Sequence, residues 1–378
     1  MLGPRAFVFG WLMAGSSGCV SAPPPCVSSP PVSSARFLLH DPYERLLASR
    51  LAPPTTAAPQ QSSVPPPMRD VLGVSYYSDA AHSVVDEALR QQNERQLAPL
   101  RSMIELVNRQ SDVWLSAAPN RGAAAARALA ALDSWARAGA MLGEVNRQGG
   151  YMREWALSAF ALDYLKLRHA PGLEPGQKRS VAAWLLELGR KVDAHPPLSK
   201  GGPARNNHAY WCGLAVAAAG VAGDDRALYE AGLRRFELFV GELTPDGTLP
   251  LEMARGQRAL HYHLYALDPL VMLAELAAAN GADLYAAGER ALPRLVQRVL
   301  VGLAQPSDFV RAAGVEQSTT QPSADELGWA EAYQARFAPP GLLTWLERAR
   351  PVRCAYLGGD MTLSFSARVQ DENAGAAP

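Results

Sequence analysis

Two short stretches hold most of the residues in this 378-residue chain that could do chemistry. The first is Asn206-Asn207-His208-Ala209-Tyr210-Trp211, which puts amides, an imidazole, a phenol and an indole just ahead of the apolar run 214–221. Helical spacing predicts that Asn207 lies beside Tyr210 and Trp211, and His208 beside Trp211. Every buried polar group needs a partner, so a core helix rarely carries this mixture. A site for a polar, ring-shaped ligand uses it well: an aromatic platform stacks a sugar and donors grip its substituents. The plainer alternative is a helix start with a capping asparagine and an aromatic packing corner. The second stretch runs from Leu249 to Tyr265. Arg255, Arg258, Tyr262 and Tyr265 fall at i, i+3, i+7 and i+10, one face of a helix. Snorkelling arginines on a solvated face are the usual meaning of such charges, and the tyrosines among them argue against it.

Asparagine, histidine, arginine and tyrosine together suit β-elimination from a uronic acid. The C5 proton of such a sugar is acidic only when the adjacent carboxylate is neutralised, because the intermediate is an enolate dianion. Amide, imidazole and guanidinium donors aimed at that carboxylate supply the stabilisation. A tyrosine can take the proton and return it to the departing 4-oxygen. A free phenol has a pKa of about 10, so Tyr262 needs nearby positive charge, which Arg255 and Arg258 are spaced to provide. Competing chemistries are less well served. His261 and His263, at i and i+2, point roughly 200° apart on a helix and cannot share one ion. No metal and no cofactor is expected. No nucleophile elbow or Cys/His signature is present. Glu252 and Asp268 are candidate carboxylates for glycoside hydrolysis, which stands as the runner-up reading.

Thirty-six basic and thirty-six acidic side chains leave no net charge, so nothing global points to nucleic acid or an anionic membrane. An anionic substrate must be gripped locally, almost entirely by arginine. Arg5, the apolar residues 6–14 and the small residues 15–18 read as an export signal ending at residue 19, too short to anchor in a bilayer. A periplasmic destination is expected, with lipidation of Cys19 as a weaker option. Residues 20–70 are rich in proline and serine and read as a linker or disordered leader, with a marginal helix within 36–51. Residues 71–370 form the expected domain, followed by a frayed tail at 371–378. Three-four apolar periodicity predicts helices near 83–109, 122–144, 151–168, 177–193, 207–222, 225–243, 254–280, 283–304 and 339–349. Only 356–368 hints at extended structure. Consecutive helices with short loops pair antiparallel, and about ten of them suit an all-α barrel of helix hairpins, an α/α toroid. Export permits a bridge between Cys212 and Cys354, and sequence leaves that pairing open.

At this point a family resemblance becomes specific. Asn206–Trp211 resembles the Asn-Asn-His-Ser-Tyr-Trp motif of the mannuronate-specific alginate lyases (polysaccharide lyase family five), with alanine for serine at 209. The stretch 258–267 resembles that family's tyrosine-bearing helix. Ser134-Trp135-Ala136-Arg137-Ala138, Met152-Arg153-Glu154-Trp155-Ala156-Leu157 and Leu357-Gly358-Gly359-Asp360 match its pattern as well. The resemblance spans about 71–367. It implies an incomplete α/α toroid with a long substrate cleft, periplasmic residence, and endolytic cleavage of poly-β-D-mannuronate that leaves a 4,5-unsaturated sugar. It assigns carboxylate neutralisation to Asn207, His208 and Arg255, and the acid–base role to Tyr262. Substrate binding falls to Trp211, Tyr265, Arg258, Arg147, Gln148, Ser75 and Tyr76, with Tyr76 standing where relatives carry a basic residue. The implied partner is an anionic polysaccharide, alginate. A monomer is expected, with polysaccharide secretion machinery as a further partner to consider. Two other functions stay open: a lyase for another polyuronate such as glucuronan, and a noncatalytic polysaccharide-binding or export protein.

Overall fold

The computed structural model describes residues 39–49, 63–79, 84–195, 198–199, 202–203 and 205–366. The expected export signal, Cys19, most of the leader and the 371–378 tail lie outside these residues.

The helices are α1 (Glu44–Ser49), α2 (Glu87–Gln96), α3 (Ala98–Leu115), α4 (Arg121–Arg137), α5 (Arg147–Leu167), α6 (Pro175–Ala194), α7 (Asn207–Ala222) and α8 (Arg226–Glu242). After them come α9 (Pro250–Met253), α10 (Ala259–Ala279), α11 (Ala287–Ala304), α12 (Ser307–Ala313), α13 (Ala330–Phe337), α14 (Leu342–Ala349) and α15 (Met361–Phe365). Extended structure is confined to two antiparallel pairs of two-residue strands, β1 (Leu198–Ser199) with β2 (Gly202–Pro203), and β3 (Arg353–Cys354) with β4 (Gly359–Asp360).

Four hairpins, α3/α4, α5/α6, α7/α8 and α10/α11, stand side by side as an inner and an outer layer. In the inner layer α3 packs on α5, α5 on α7, and α7 on α10; in the outer layer α4 packs on α6, α6 on α8, and α8 on α11. Composition decides which helix goes inside. All of α7 except His208 is buried, as is nearly all of α5 and α10; α7 is apolar around its whole circumference, while α5 carries Arg153, Glu154, Asp163 and Lys166 inside with its apolar residues. The outer helices α6 and α8 bury one stripe and expose charged residues on the other side. Gly220 and Gly232 permit the close approach of the α7/α8 hairpin: a Cβ at either would lie 2.4 Å from a backbone nitrogen of the other helix, Tyr229 and Ala217 respectively. After the fourth hairpin, α13 contacts α10 and α15 reaches both α13 and α3. The arrangement is an incomplete α/α toroid. No helix among the described residues is long and apolar enough to cross a membrane.

Several expectations need correction. The helix predicted over 83–109 is two helices, because Pro99 cannot donate a backbone N–H and opens α3 anew. The stretch 20–70 is not leader throughout. Leu39 and Tyr43 ahead of α1, and Leu46 and Leu47 on it, are buried in the core, and the Trp135 indole donates to the Pro65 carbonyl at 2.9 Å. Within the described part of 356–368 the extended reading reduces to β4, and the remainder is a 3-10 turn and α15, capped by the Asp360 carboxylate on the Leu363 N–H. Cys212 and Cys354 are both buried and both free thiols.

Candidate active site

The two chemistry-rich stretches meet at the start of α7. Asn206 stands in the N-cap position but makes no side-chain cap bond. Glu252 of α9 supplies the acceptor instead, its Oε1 receiving the Asn207 backbone N–H at 2.7 Å and the Asn207 Nδ2 at 2.8 Å. A carboxylate at the positive end of a helix is well placed electrostatically. Burial nevertheless raises the Glu252 pKa, with the Asn207 backbone N–H, Arg255 and the Asn207 side chain opposing that rise. Arg255 lies 3.9 Å from the other Glu252 oxygen through its Nε. Its guanidinium carbon also lies 4.5 Å from the centre of the Tyr262 ring. Asn207, Glu252, Arg255 and Tyr262 thus form one continuous set.

Arg255 and Arg258 do not lie on a long α-helix as the spacing predicted. Gly256–Arg258 is a 3-10 turn and α10 begins at Ala259. A 3-10 turn eclipses i and i+3, so both guanidiniums still reach Tyr262, Arg258 at 5.2 Å from the ring centre. Arg258 donates through Nη1 to the Tyr77 hydroxyl at 2.9 Å, and the Tyr77 and Tyr262 hydroxyl oxygens are 3.0 Å apart. Tyr262 is 7% exposed. Burial and the adjacent Tyr77 raise its pKa, while Arg258 and Arg255 pull the other way without prevailing. The expectation that two arginines would by themselves leave a basic phenol is therefore too simple: the unliganded site keeps Tyr262 protonated.

Tyr77 comes from the segment after residue 70, and its position is fixed locally. Asn146 accepts from the Gly73 N–H at 3.0 Å and donates to the Gly73 carbonyl at 2.7 Å, while buried Asn93 accepts from the Val74 N–H at 2.8 Å. Gln148 packs on Gly73, where a Cβ would come within 2.7 Å of its Cγ. Arg147 is exposed and donates to the Tyr151 hydroxyl at 3.1 Å. Ser75 is exposed, and Tyr76 stacks at a tilt on Tyr77, ring centres 4.9 Å apart. Burial raises the Tyr76 phenol, as does Tyr77, against Arg101 and Arg258.

His208 does not lie on Trp211. Its ring stacks on Tyr151 at 3.8 Å and 13°, with Trp155 beyond at 5.9 Å. Trp211 is 0% exposed and sits beneath Tyr265 and Tyr356, so its expected place in a sugar subsite is not borne out; it supports the rings above it. Tyr265 is partly buried and meets Trp155, Trp211 and Tyr262 edge-on or at a tilt. Asn207 is also 0% exposed, whereas His208 and Arg255 are partly exposed. His208 and Arg255 therefore offer donors at the surface of the site, while Asn207 is covered.

The two histidines of α10 diverge. His263 is buried between the Leu249 N–H and the Ala259 carbonyl, and burial drops its pKa to about 4. His261 joins Arg258 to Glu326. Neither carboxylate considered for glycoside hydrolysis is available for it. Glu252 is committed to Asn207, and Asp268, its pKa lifted well up by burial, accepts from the Trp329 N–H at 2.9 Å. Among the described residues one group, Asp41, Glu44 and His169, has metal-ligand spacing. Arg168 donates to both carboxylates there, at 2.7 and 3.0 Å, and supplies the charge a cation would bring.

Sequence reasoning missed Tyr77, Tyr151, Trp155 and Tyr356 as site residues. The Tyr76-Tyr77 pair was the available signal for the first, and Tyr151 through Trp155, one turn apart on α5, for the next two. Tyr356 lies in a turn between β3 and β4 and gives no local sign.

Comparison with known proteins agrees with this geometry. The sequence profile of the alginate lyase family matches residues 72–309. A polysaccharide lyase of Stenotrophomonas maltophilia is 43% identical over 84% of this chain and 93% of its own length. An alginate lyase of Azotobacter vinelandii is 35% identical over 76% of this chain and 78% of its own. The crystal structure of alginate lyase A1-III from Sphingomonas species A1 superposes with a TM-score of 0.73 at 26% identity, covering 89% of this chain and 99% of that one. A variant of A1-III complexed with a tetrasaccharide gives 0.75 at 25% identity, covering 87% and 96%. With its helix hairpins, its profile match and these relatives, the chain belongs to the alginate lyase family.

Proposed function

We propose that the protein is an endolytic lyase acting on the mannuronate stretches of alginate by syn β-elimination. The observation that carries this reading is the convergence of Arg255, Arg258 and the Tyr77 hydroxyl on Tyr262, with Asn207 and Glu252 one contact away. A carboxylate lying against Arg255 and His208, near the positive end of α7, has its charge offset where the enolate develops. With substrate bound, Tyr262 gives up its phenol proton to solvent, and the phenolate oxygen then takes the C5 proton. Electrons of the C5–H bond form the C4=C5 double bond, the C4–O bond breaks, and Tyr262 returns the proton to the departing oxygen. No water is consumed and no cofactor is required.

Three comparisons support the substrate class: the family profile, the named alginate lyases and the A1-III superposition. Tyr76, where the family motif carries a basic residue, bears on which uronate is preferred. We further propose export to the periplasm through residues 1–19, checked by the mass of the mature chain recovered from cells.

The activity test follows the ultraviolet absorbance of the unsaturated ends on polymannuronate, polyguluronate and glucuronan. Absorbance rising fastest on polymannuronate, with an early fall in viscosity, is the expected result. Release on glucuronan alone would move the assignment to that polymer, and absence of absorbance on all three would end the lyase reading.

A further inference from the structure

Arg258 has no carboxylate within ion-pairing distance among the described residues, yet it is held at both ends of its guanidinium. Nη1 donates to the Tyr77 hydroxyl at 2.9 Å, and Nη2 lies 2.8 Å from His261 Nε2. The other nitrogen of that imidazole, Nδ1, is 2.6 Å from Glu326 Oε1. Glu326 sits in the 3-10 turn Asp325–Leu327 and is itself anchored. Its Oε1 accepts from the Thr319 hydroxyl at 3.1 Å, and its Oε2 from the Ser323 N–H at 2.9 Å and the Ser323 hydroxyl at 3.0 Å.

The polarity of this chain is fixed by what its ends can do. An arginine only donates, and an ionised carboxylate only accepts. The imidazole between them satisfies both in one form alone: neutral, with its proton on Nδ1 and its lone pair on Nε2. A proton on Nε2 would set a donor against the guanidinium and release Arg258 from the hydroxyl pair.

We infer that Glu326 and His261 are positioning residues for the reaction at Tyr262: Glu326 selects the His261 tautomer, and His261 holds Arg258 on the Tyr77 hydroxyl and over the Tyr262 ring. This rests on the elimination reading above. The carboxylate stays ionised across the working range. Burial pushes it up, but His261 and Ser323 hold its pKa down to about 2. Asp325 is the other acid whose charge His261 feels, and Tyr265 lies parallel to the imidazole at 6.3 Å. Tyr262 is faced by Tyr77, Arg255 and Arg258, and by the edge of His261 and Tyr265.

Steady-state rates of the full chain on polymannuronate between about pH 6 and 10 test the inference, with Glu326→Ala, Glu326→Gln and His261→Phe compared against wild type. Losing the hold on Arg258 raises the Tyr262 pKa. Glu326→Ala and His261→Phe should each move the rising limb of kcat, which titrates Tyr262 in the substrate complex, up by about one pH unit, equivalent to about tenfold at neutral pH, with KM changed less than about threefold. His261→Phe keeps a ring against Tyr265, so it reports even if Glu326→Ala disturbs its turn. Glu326→Gln keeps an oxygen acceptor for Nδ1–H and should recover most of the rate. The double variant should lose little beyond either single one, because the two act as a unit. A limb that stays in place, with or without a uniform loss of rate, overturns the inference, and so does a Gln variant as impaired as the Ala variant. Wild-type inactivity on every polyuronate would instead overturn the lyase reading.

Discussion

Tyr77→Phe removes one oxygen, and the sign of its effect reports on how the Tyr262 phenolate is formed. In the unliganded protein burial and Tyr77 both favour the protonated form of Tyr262. That describes a Tyr77 oxygen accepting the Tyr262 proton. The Arg258 Nη1, 2.9 Å away, already donates to that oxygen, and the Tyr77 and Tyr262 oxygens lie 3.0 Å apart, within reach of a Tyr77 O–H donated to Tyr262. Once Tyr262 has given up its proton, only Tyr77 can donate in that pair. A hydrogen bond to a charged acceptor contributes about 1.5–3 kcal/mol. At 1.36 kcal/mol per decade, its loss corresponds to a fall of about tenfold to 150-fold in kcat/KM. The substituted ring still packs on Tyr76 and under Arg258, so loss of the hydroxyl is isolated. The assay is the initial rate of unsaturated product on polymannuronate, together with the thermal midpoint to confirm folding. A rate within about twofold of wild type, or a faster one, would refute the donor role and leave Tyr77 as a brake on Tyr262.

Two further outcomes concern the scaffold. His263 titrates near 4 in the folded protein against an ordinary 6.5, so below pH 6.5 the unfolded chain takes up a proton that the folded chain refuses. Stability should therefore fall as pH drops from 6.5 to 4, by about 3 kcal/mol from this residue, and level off below. Urea unfolding at three pH values would show it, and His263→Gln should flatten the slope relative to wild type. Glu252→Leu strips the acceptor from the Asn207 N–H and Nδ2 and is expected to cost about 1–3 kcal/mol, with at least tenfold in kcat/KM as Asn207 and Arg255 lose their common partner. Glu252→Gln, which keeps an acceptor oxygen, should retain most of the stability in the same urea experiment.

The helical layers were legible because α7 is apolar all round and α10 largely so while their outer neighbours are amphipathic, a difference that periodicity reports directly; the burial of α5 with its four charged residues was not. Polar residues crowded at the start of α7 likewise marked one half of the site, and the arginine–tyrosine spacing before and within α10 marked the other. Contacts that join distant segments left no local trace. Glu252 serves as the helix cap that Asn206 does not provide, and its only sequence sign is an acid three residues before Arg255. Trp211 and His208 share a helix face by spacing, but α5 supplies Tyr151 and Trp155 as the true neighbours of the imidazole, and the indole sinks below. The helix α1 was legible only as a marginal helix within 36–51, because proline and serine on both sides dominate the composition, although Tyr43, Leu46 and Leu47 have the spacing of a buried stripe.

Turnover of Tyr262→Phe on polymannuronate addresses the proposed chemistry at its centre. The variant keeps the ring between Arg255 and Arg258 and lacks only the oxygen that carries the proton. Loss of a general acid–base group should lower kcat by roughly 10²–10⁴-fold while oligomannuronate binding stays within a few-fold. A variant that turns over within a few-fold of wild type would mean that some other group moves the C5 proton.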